Sequence, residues 1–497
     1  MKLPLQPNLE FSRQAITGSQ DYEVSEGIHN GMVNTDDRIY TTHRPIFELY
    51  DDASDSGAET LGRGIYYWAK LDLFYQVNGS EVYYGNGYGG SVVTGASLTP
   101  LQSGRVYFAE VGNYLCIIDR QDNKGYYIDS AAHTVLVEIV DVDFPPKQIP
   151  VLQLARGAVG LKGRLYVMDT DGTIWNSSLE DPSAWNGGDN INAEMSPDKG
   201  VYIGKIDNEI VAIGDNTIEY FYHAGNPTNS PLSSRQDVFH NIGGYRGDVY
   251  YPDEAGLFFV GAPNQGGKGV YRLIGHEIKK ISKSSLDMYL SRPSENSFIA
   301  GLVSVAGRVF YCLSFNRIKD TFVYDAATDY WYDWVWDEHS FTNFPLVDWA
   351  FSDRGLISST RGIMANGDLV TCPYDINAAG DDPVEFVILT GNQDFGSNKY
   401  KFMSNVSLDS FVTHAETEET TQTAQLRFYD NGEINSAGLP THDIELLDRH
   451  VSIAGASNTL ARAGSFIKRR VEVTVPTDAT TTRVQVYNLD FEIREGL

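Results

Sequence analysis

The side chains that most often carry chemistry are present in this chain, but their spacing assembles no reaction centre. Ten histidines are scattered, and none pairs with another at metal-ligand spacing. His276-Glu277-Ile278-Lys279-Lys280 begins like a zinc-protease helix, yet Lys280 stands where the second histidine ligand must be. A nucleophile elbow requires Gly-x-Ser-x-Gly, and Gly89-Gly90-Ser91-Val92-Val93 ends in valine. Gly266-Gly267-Lys268-Gly269 lacks both the upstream glycine spacing and the Ser/Thr of a phosphate loop, so it reads as a hairpin turn. Glycoside hydrolysis needs two carboxylates about 5–10 Å apart in one cleft. With 66 acidic residues the sequence singles out no such pair. The expectation is a protein with no catalytic residue, no cofactor and no bound metal.

Other segments look chemical but have a structural reading. Asp169-Thr170-Asp171-Gly172-Thr173-Ile174-Trp175 resembles the Asp-box hairpin of sialidase propellers, one residue short between Asp and Gly. Its carboxylates could face calcium. The favoured reading is a turn built by Asp and Gly, with Trp175 packed between neighbouring sheets. Tyr324-Asp325-Ala326-Ala327-Thr328-Asp329-Tyr330-Trp331 resembles a kelch hairpin for the same reason. The aromatic run from Tyr330 to Trp336 could stack on sugars, but alternating aromatics on a strand favour core packing. Lys468-Arg469-Arg470 could touch phosphate; in an acidic background it reads as a solvated edge.

The elements that must carry these side chains repeat. An apolar strand, a turn of Gly, Asn or Asp, and a second strand with an aromatic or branched residue recur from 74–84 to 356–370. Taking Tyr83, Tyr127, Trp175, Tyr220, Tyr271, Trp331 and Val370 as marks, the steps are 44, 48, 45, 51, 60 and 39 residues. That spacing matches the roughly 40–50 residues of a four-stranded propeller blade. An ordinary β-sandwich would give shorter, less regular steps. The fold class expected is all-β: a six- or seven-bladed β-propeller over 61–375, followed by an antiparallel β domain over 376–497. Residues 1–60, with the polar loop Asp51–Ala58, read as an extended arm or partner-binding segment. Propellers often draw one blade from both chain ends, so this arm is a candidate contributor to the C-terminal domain.

A chain of 497 residues has ample length for a large core. Its 38 basic and 66 acidic residues give a net charge of −28. That balance disfavours a general nucleic-acid coat and a protein held on anionic lipid by bulk charge. Cys116, Cys312 and Cys372 are odd in number and far apart, so the fold does not rest on disulfides. The first residues carry no apolar signal region, and runs such as 256–261 are too short to cross a bilayer. These features predict a soluble protein made in a reducing cytoplasm.

One segment carries a family resemblance. The apolar strand 201–214 ends at Gly214 and leads through a short polar turn to Thr217, Ile218, Glu219, Tyr220 and Phe221. Ile242-Gly243-Gly244-Tyr245 and Gly256-Leu257-Phe258-Phe259-Val260 follow. Over about 155–275 this resembles the packaged-DNA stabilisation proteins of short-tailed bacteriophages. The matched motif is a structural strand and transfers no catalytic residue. The resemblance implies a virion tail protein, assembled in the bacterial host cytoplasm. It implies a homohexameric hub or nozzle ring below portal and adaptor (the head-to-tail connector). By that resemblance the ring extends the DNA channel, retains packaged DNA, meets tail fibres or spikes and a plug or needle, and takes part in genome ejection. Double-stranded DNA would pass without sequence recognition, and no direct membrane insertion is implied. Two other classes stand beside it: a propeller-type glycan-degrading enzyme and a monomeric propeller interaction module.

Overall fold

In the computed structural model, the described residues comprise most of 62–337 and, outside that span, chiefly strands. The stretches 5–26, 51–61, 415–421, 431–440 and 447–468, with shorter connections, lie outside the description. The loop read at Asp51–Ala58, the mark Val370 and Cys372 fall there.

Among the described residues, seven sheets follow one another in chain order between Gly62 and Pro383. The second, third and fourth run inside to outside from Val106–Val111, Val159–Leu161 and Gly200–Ile206, each continuing through three consecutive antiparallel strands. Connections of two to eight residues make this the cheapest topology, because antiparallel neighbours need only a hairpin. Leu346–Trp349, the first strand of the seventh sheet, lies against Phe298–Val305 of the sixth and Gly62–Trp68 of the first. The circle is thereby closed, and the fold is a β-propeller.

Five of the seven repeat marks fall at equivalent positions. Tyr83, Tyr127, Trp175, Tyr220 and Tyr271 each occupy the third strand of a successive sheet. Trp331 lies on the fourth strand of its sheet, Tyr330–Asp337, which accounts for the long 60-residue step before it. The second sheet buries both faces. Leu115, Ile117 and Tyr126 pack toward the first sheet, whereas Cys116, Ile118 and Ala109 pack toward the third. This alternation is the two-residue period of a strand expressed in a toroid.

Two elements enlarge the plan. The helix Ser284–Ser291 sits between the fifth and sixth sheets and buries Leu286, Tyr289 and Leu290 against Phe315, Phe322 and Trp331. The sixth sheet also continues beyond its fourth strand, through Gly27–His29 and Phe386–Leu389, to Arg469–Val475, Gln422–Asp430 and Thr441–Leu446. A separate sheet pairs Thr481–Glu495 with Lys401–His414 on one side and with Lys2–Pro4 and Tyr40–His43 from the chain start on the other. Ile46–Leu49 pairs with Met364–Asp368 of the seventh sheet.

Side chains of the sixth sheet hold the backbone of Gly31–Asn34. The Val33 amide donates to the Tyr332 hydroxyl at 3.0 Å, and Arg308 donates to the Val33 carbonyl at 2.7 Å while also pairing with buried Asp325. Tyr332, Trp331 and Trp334 are all buried, so this part of the aromatic run is core and not a sugar platform.

Candidate functional site

The family-motif strand lies in the fourth sheet. Gly214 ends the strand Glu209–Gly214, Thr217 closes the following turn, and Ile218–Phe221 begin the next strand. The turn is capped by a carboxylate remote in sequence: Asp198 accepts from the amides of Asn216 at 3.0 Å and Thr217 at 2.8 Å, and from the Thr217 hydroxyl at 3.0 Å. A Cβ at position 214 would lie 2.2–2.5 Å from that carboxylate, so any other residue there would displace the cap. Thr217 therefore acts as a capping partner. Ile218 and Tyr220 turn toward the fifth sheet, joining Leu257 and Phe259; Phe221 turns toward the third, joining Tyr166 and Ile174. Glu219 is buried and lines a small pocket with Met168, Gly172, Asp198 and Thr217. The motif thus ties three successive sheets together.

The Asp169 hairpin is built the same way. One carboxylate oxygen accepts from the amides of Asp171 at 2.8 Å and Thr173 at 3.0 Å, and the other from the Trp175 indole at 2.9 Å. Three N–H dipoles converge on this buried carboxylate, an environment of positive potential that opposes a cation. Trp175 packs between the second and third sheets. Asp325 repeats the pattern with the Ala327 amide and the Thr328 hydroxyl. Among the described residues, no group of three or more His, Cys, Asp or Glu is arranged to hold a metal.

The other chemical candidates are placed as follows. His276 lies in a hairpin turn, not a helix, and contacts Glu209 of the neighbouring sheet at 2.7 Å. Gly266–Gly269 connects two strands. The reading of 468–470 as a solvated edge is corrected at Arg469. Its side chain is buried, pairs with Asp430 at 2.6 and 2.9 Å, and lies over the Phe428 ring. The pairing of Arg469–Val475 with Gln422–Asp430 brings that acid opposite, a match that local charge counting does not reveal. Burial pushes the Cys116 and Cys312 thiols well above their usual range, which leaves them un-ionised and inert.

A titratable cluster occupies the seam between the fourth and fifth sheets. Glu209 bridges Arg235 at 2.9 Å and His276, while the buried Tyr220 ring meets His276 and His240 edge-on. Burial lowers the His240 pKa, with smaller opposed effects from neighbouring His276. A histidine that resists protonation when folded leaves stability intact above its unfolded pKa of about 6.5 and removes it as pH falls below that value. His240→Gln should therefore flatten the loss of stability between about pH 7 and 5. Thermal unfolding at several pH values measures this, and an unchanged slope would show that other groups dominate.

The centre of the toroid is crossed by side chains. Arg105, beside the innermost strand of the second sheet, reaches the Ala300 carbonyl on the innermost strand of the sixth at 3.4 Å. Tyr107 packs in one buried cluster with Tyr202 and Leu257 of the fourth and fifth sheets. The major groove of B-DNA alone is about 12 Å wide. A duplex cannot thread an axis spanned in this way. Sequence reading gave no signal for Asp198 or Arg105, and took Tyr202 only as part of the strand 201–214, because each acts on residues distant along the chain.

Taken together, the fold defines a closed all-β toroid whose polar hairpin residues are spent on holding turns and joining blades. A family model matches residues 51–338, and the chain belongs to that family, described as bacteriophage P22 Gp10, β-propeller. This is a phage structural family. Similar solved structures include the WD40 β-propeller domain of Doa1 (10% identity, TM-score 0.38, 65% of this chain and 97% of that one). The N-terminal domain of Nup159 is another (10%, 0.36, 69% and 99%), as is YCF48 from Cyanidioschyzon merolae (11%, 0.39, 65% and 98%). Comparison with curated proteins gave no match. No helix among the described residues is long and apolar enough to cross a membrane.

Proposed function

We infer that this chain is a non-enzymatic tail component of a short-tailed phage. In this reading six copies form a hub or nozzle ring that continues the DNA channel below portal and adaptor. The ring retains packaged DNA and supports fibre or spike attachment and ejection. The observation that carries the reading is membership of the phage stabilisation family across 51–338. The blocked toroid axis adds a constraint: DNA would run between copies, through the lumen of the ring, and not through any single propeller. Six copies at −28 each bring a formal net charge of −168. An acidic wall repels phosphate and leaves no cationic traps along a sliding polymer.

Electron microscopy of the purified chain and of particles containing it tests the ring directly. A ring on the tail axis is the expected result. A stable monomer without affinity for tail components, or catalytic turnover of bacterial polysaccharide, would overturn the reading. Once the lumen is imaged, replacing its Asp and Glu residues by Lys should slow ejection and leave ring assembly largely intact. Added salt should relieve the slowing, because screening acts within about 8–10 Å. Unchanged ejection at low salt would assign the acidity to solubility.

A further inference from the structure

The exposed apolar surface of the toroid is unevenly distributed. Of twelve exposed large apolar side chains among the described residues, five lie within fifteen residues on the strand Val135–Glu138 of the second sheet, whose start pairs with Thr94–Gly95, and in the loop after it: Val135, Val137, Val140, Val142 and Ile149. Val140 and Val142 are the most exposed of all, at 71% and 77%. Their exposure is built into the loop. Asp141 between them accepts from the amides of Asp143 at 2.8 Å and Trp185 at 3.1 Å, while Ile139 and Phe144 on either side are buried. A rigid apolar ridge loses little conformational entropy on binding. Residues 138–143 carry three acids, Glu138, Asp141 and Asp143, of which Glu138 also pairs with Lys147 at 3.0 Å and Lys124 at 3.7 Å.

The edge of the fifth sheet has the complementary character. Ile274 and Met288 are exposed at 49% and 52%. Lys279 and Lys280 on the edge strand Glu277–Lys280, and Lys283 before the helix that carries Met288, are also exposed, although Lys279 and Lys280 pair with Asp329 and Asp287. Residues 268–283 hold five cationic side chains against the single acid Glu277, in a chain whose net charge is −28. In a series of seven sheets the second and fifth stand on opposite sides of the disc. A contact between two such different edges is head-to-tail, the kind that generates a ring when its rotation closes.

We propose that the acidic valine ridge at 135–149 docks on the lysine-rich edge of the fifth sheet, with Ile274 and Met288, of a second copy of this chain. The proposal rests on the ring reading and specifies its interface. Apolar contact supplies the core of the joint, and opposite charge fixes which edge meets which.

The test mixes two full-length variants, Val142→Cys and Met288→Cys, under mild oxidation at concentrations where wild-type rings form. Disulfide-linked dimers should appear in the mixture and in neither variant alone. Val142→Cys cross-linking to itself, or no cross-link in a mixture that still assembles rings, would overturn this interface and leave the ring reading standing. Wild-type chain that stays monomeric, with no ring on particles, would sink both. In parallel, Val140→Asp/Val142→Asp should raise the concentration for half-assembly at least tenfold. Asp143→Lys should weaken assembly with wild-type partners and recover it with Lys283→Asp copies. Absence of that rescue in correctly folded variants also counts against the proposal.

Discussion

Replacing Arg63 by alanine should lower the stability of the propeller by about 3–5 kcal/mol, the cost of leaving a buried charge without its partner. Arg63 lies on the innermost strand of the first sheet, and its guanidinium is fully buried. It donates to the Gly104 carbonyl at 2.6 Å and the Gly79 carbonyl at 3.1 Å, and its remaining arm meets Asp119 of the second sheet at 2.8 Å. Asp119 is equally buried and also caps its own turn through the Gln121 amide at 3.0 Å. Without Arg63 two carbonyls lose their donor and the buried Asp119 carboxylate loses its charge partner. Arg63→Met/Asp119→Leu removes both charges and should recover much of the loss, since apolar replacement of a buried pair is often neutral. Denaturant titration of both variants decides it. A double variant no more stable than Arg63→Ala would mean that the carbonyl contacts, not the charge pair, hold the seam.

That seam was not legible in the sequence, whereas the repeat was. Tyr127, Trp175 and Tyr220 could be read as marks because hairpin turns and aromatic strands are local patterns, and each mark falls on its own sheet. Asp169 was readable for the same reason: a carboxylate two and four residues before the amides it accepts forms a turn within its own segment. Arg63 and Asp119 are 56 positions apart, and nothing in either segment announces the other. Asp198 and Gly214 are likewise joined only by the pairing of two strands. Arg469 shows the error that follows. Its neighbours are basic in sequence, but its partner Asp430 arrives from a strand 39 residues earlier. Charge read along the chain describes composition; charge read across a sheet decides burial.

A rigid disc, which the proposed ring would need, predicts a second large effect, at Gly160. This residue lies on the innermost strand of the third sheet, Val159–Leu161, where the toroid is narrowest. A Cβ there would stand 1.8 Å from the Glu110 carbonyl oxygen on the innermost strand of the second sheet and 2.9 Å from its carbon. The obstacle is backbone, so no side-chain rotation relieves it. Gly160→Ala should therefore cost more than the about 1–3 kcal/mol typical of an overpacked core. The strain is shared, because a closed circle that widens at one seam must narrow or tilt at others. Gly188→Ala is the control: its nearest neighbour is a side-chain oxygen 3.7 Å away, and it should change stability little. If the disc acts as a rigid body whose two opposite edges set the angle between copies, Gly160→Ala should also broaden or abolish ring formation at temperatures where it remains folded. Thermal unfolding separates the first effect, and electron microscopy of the folded variant reads the second. A variant as stable as Gly188→Ala would show that the inner strands shift apart freely. Normal rings from a destabilised variant would show that assembly tolerates a flexible disc.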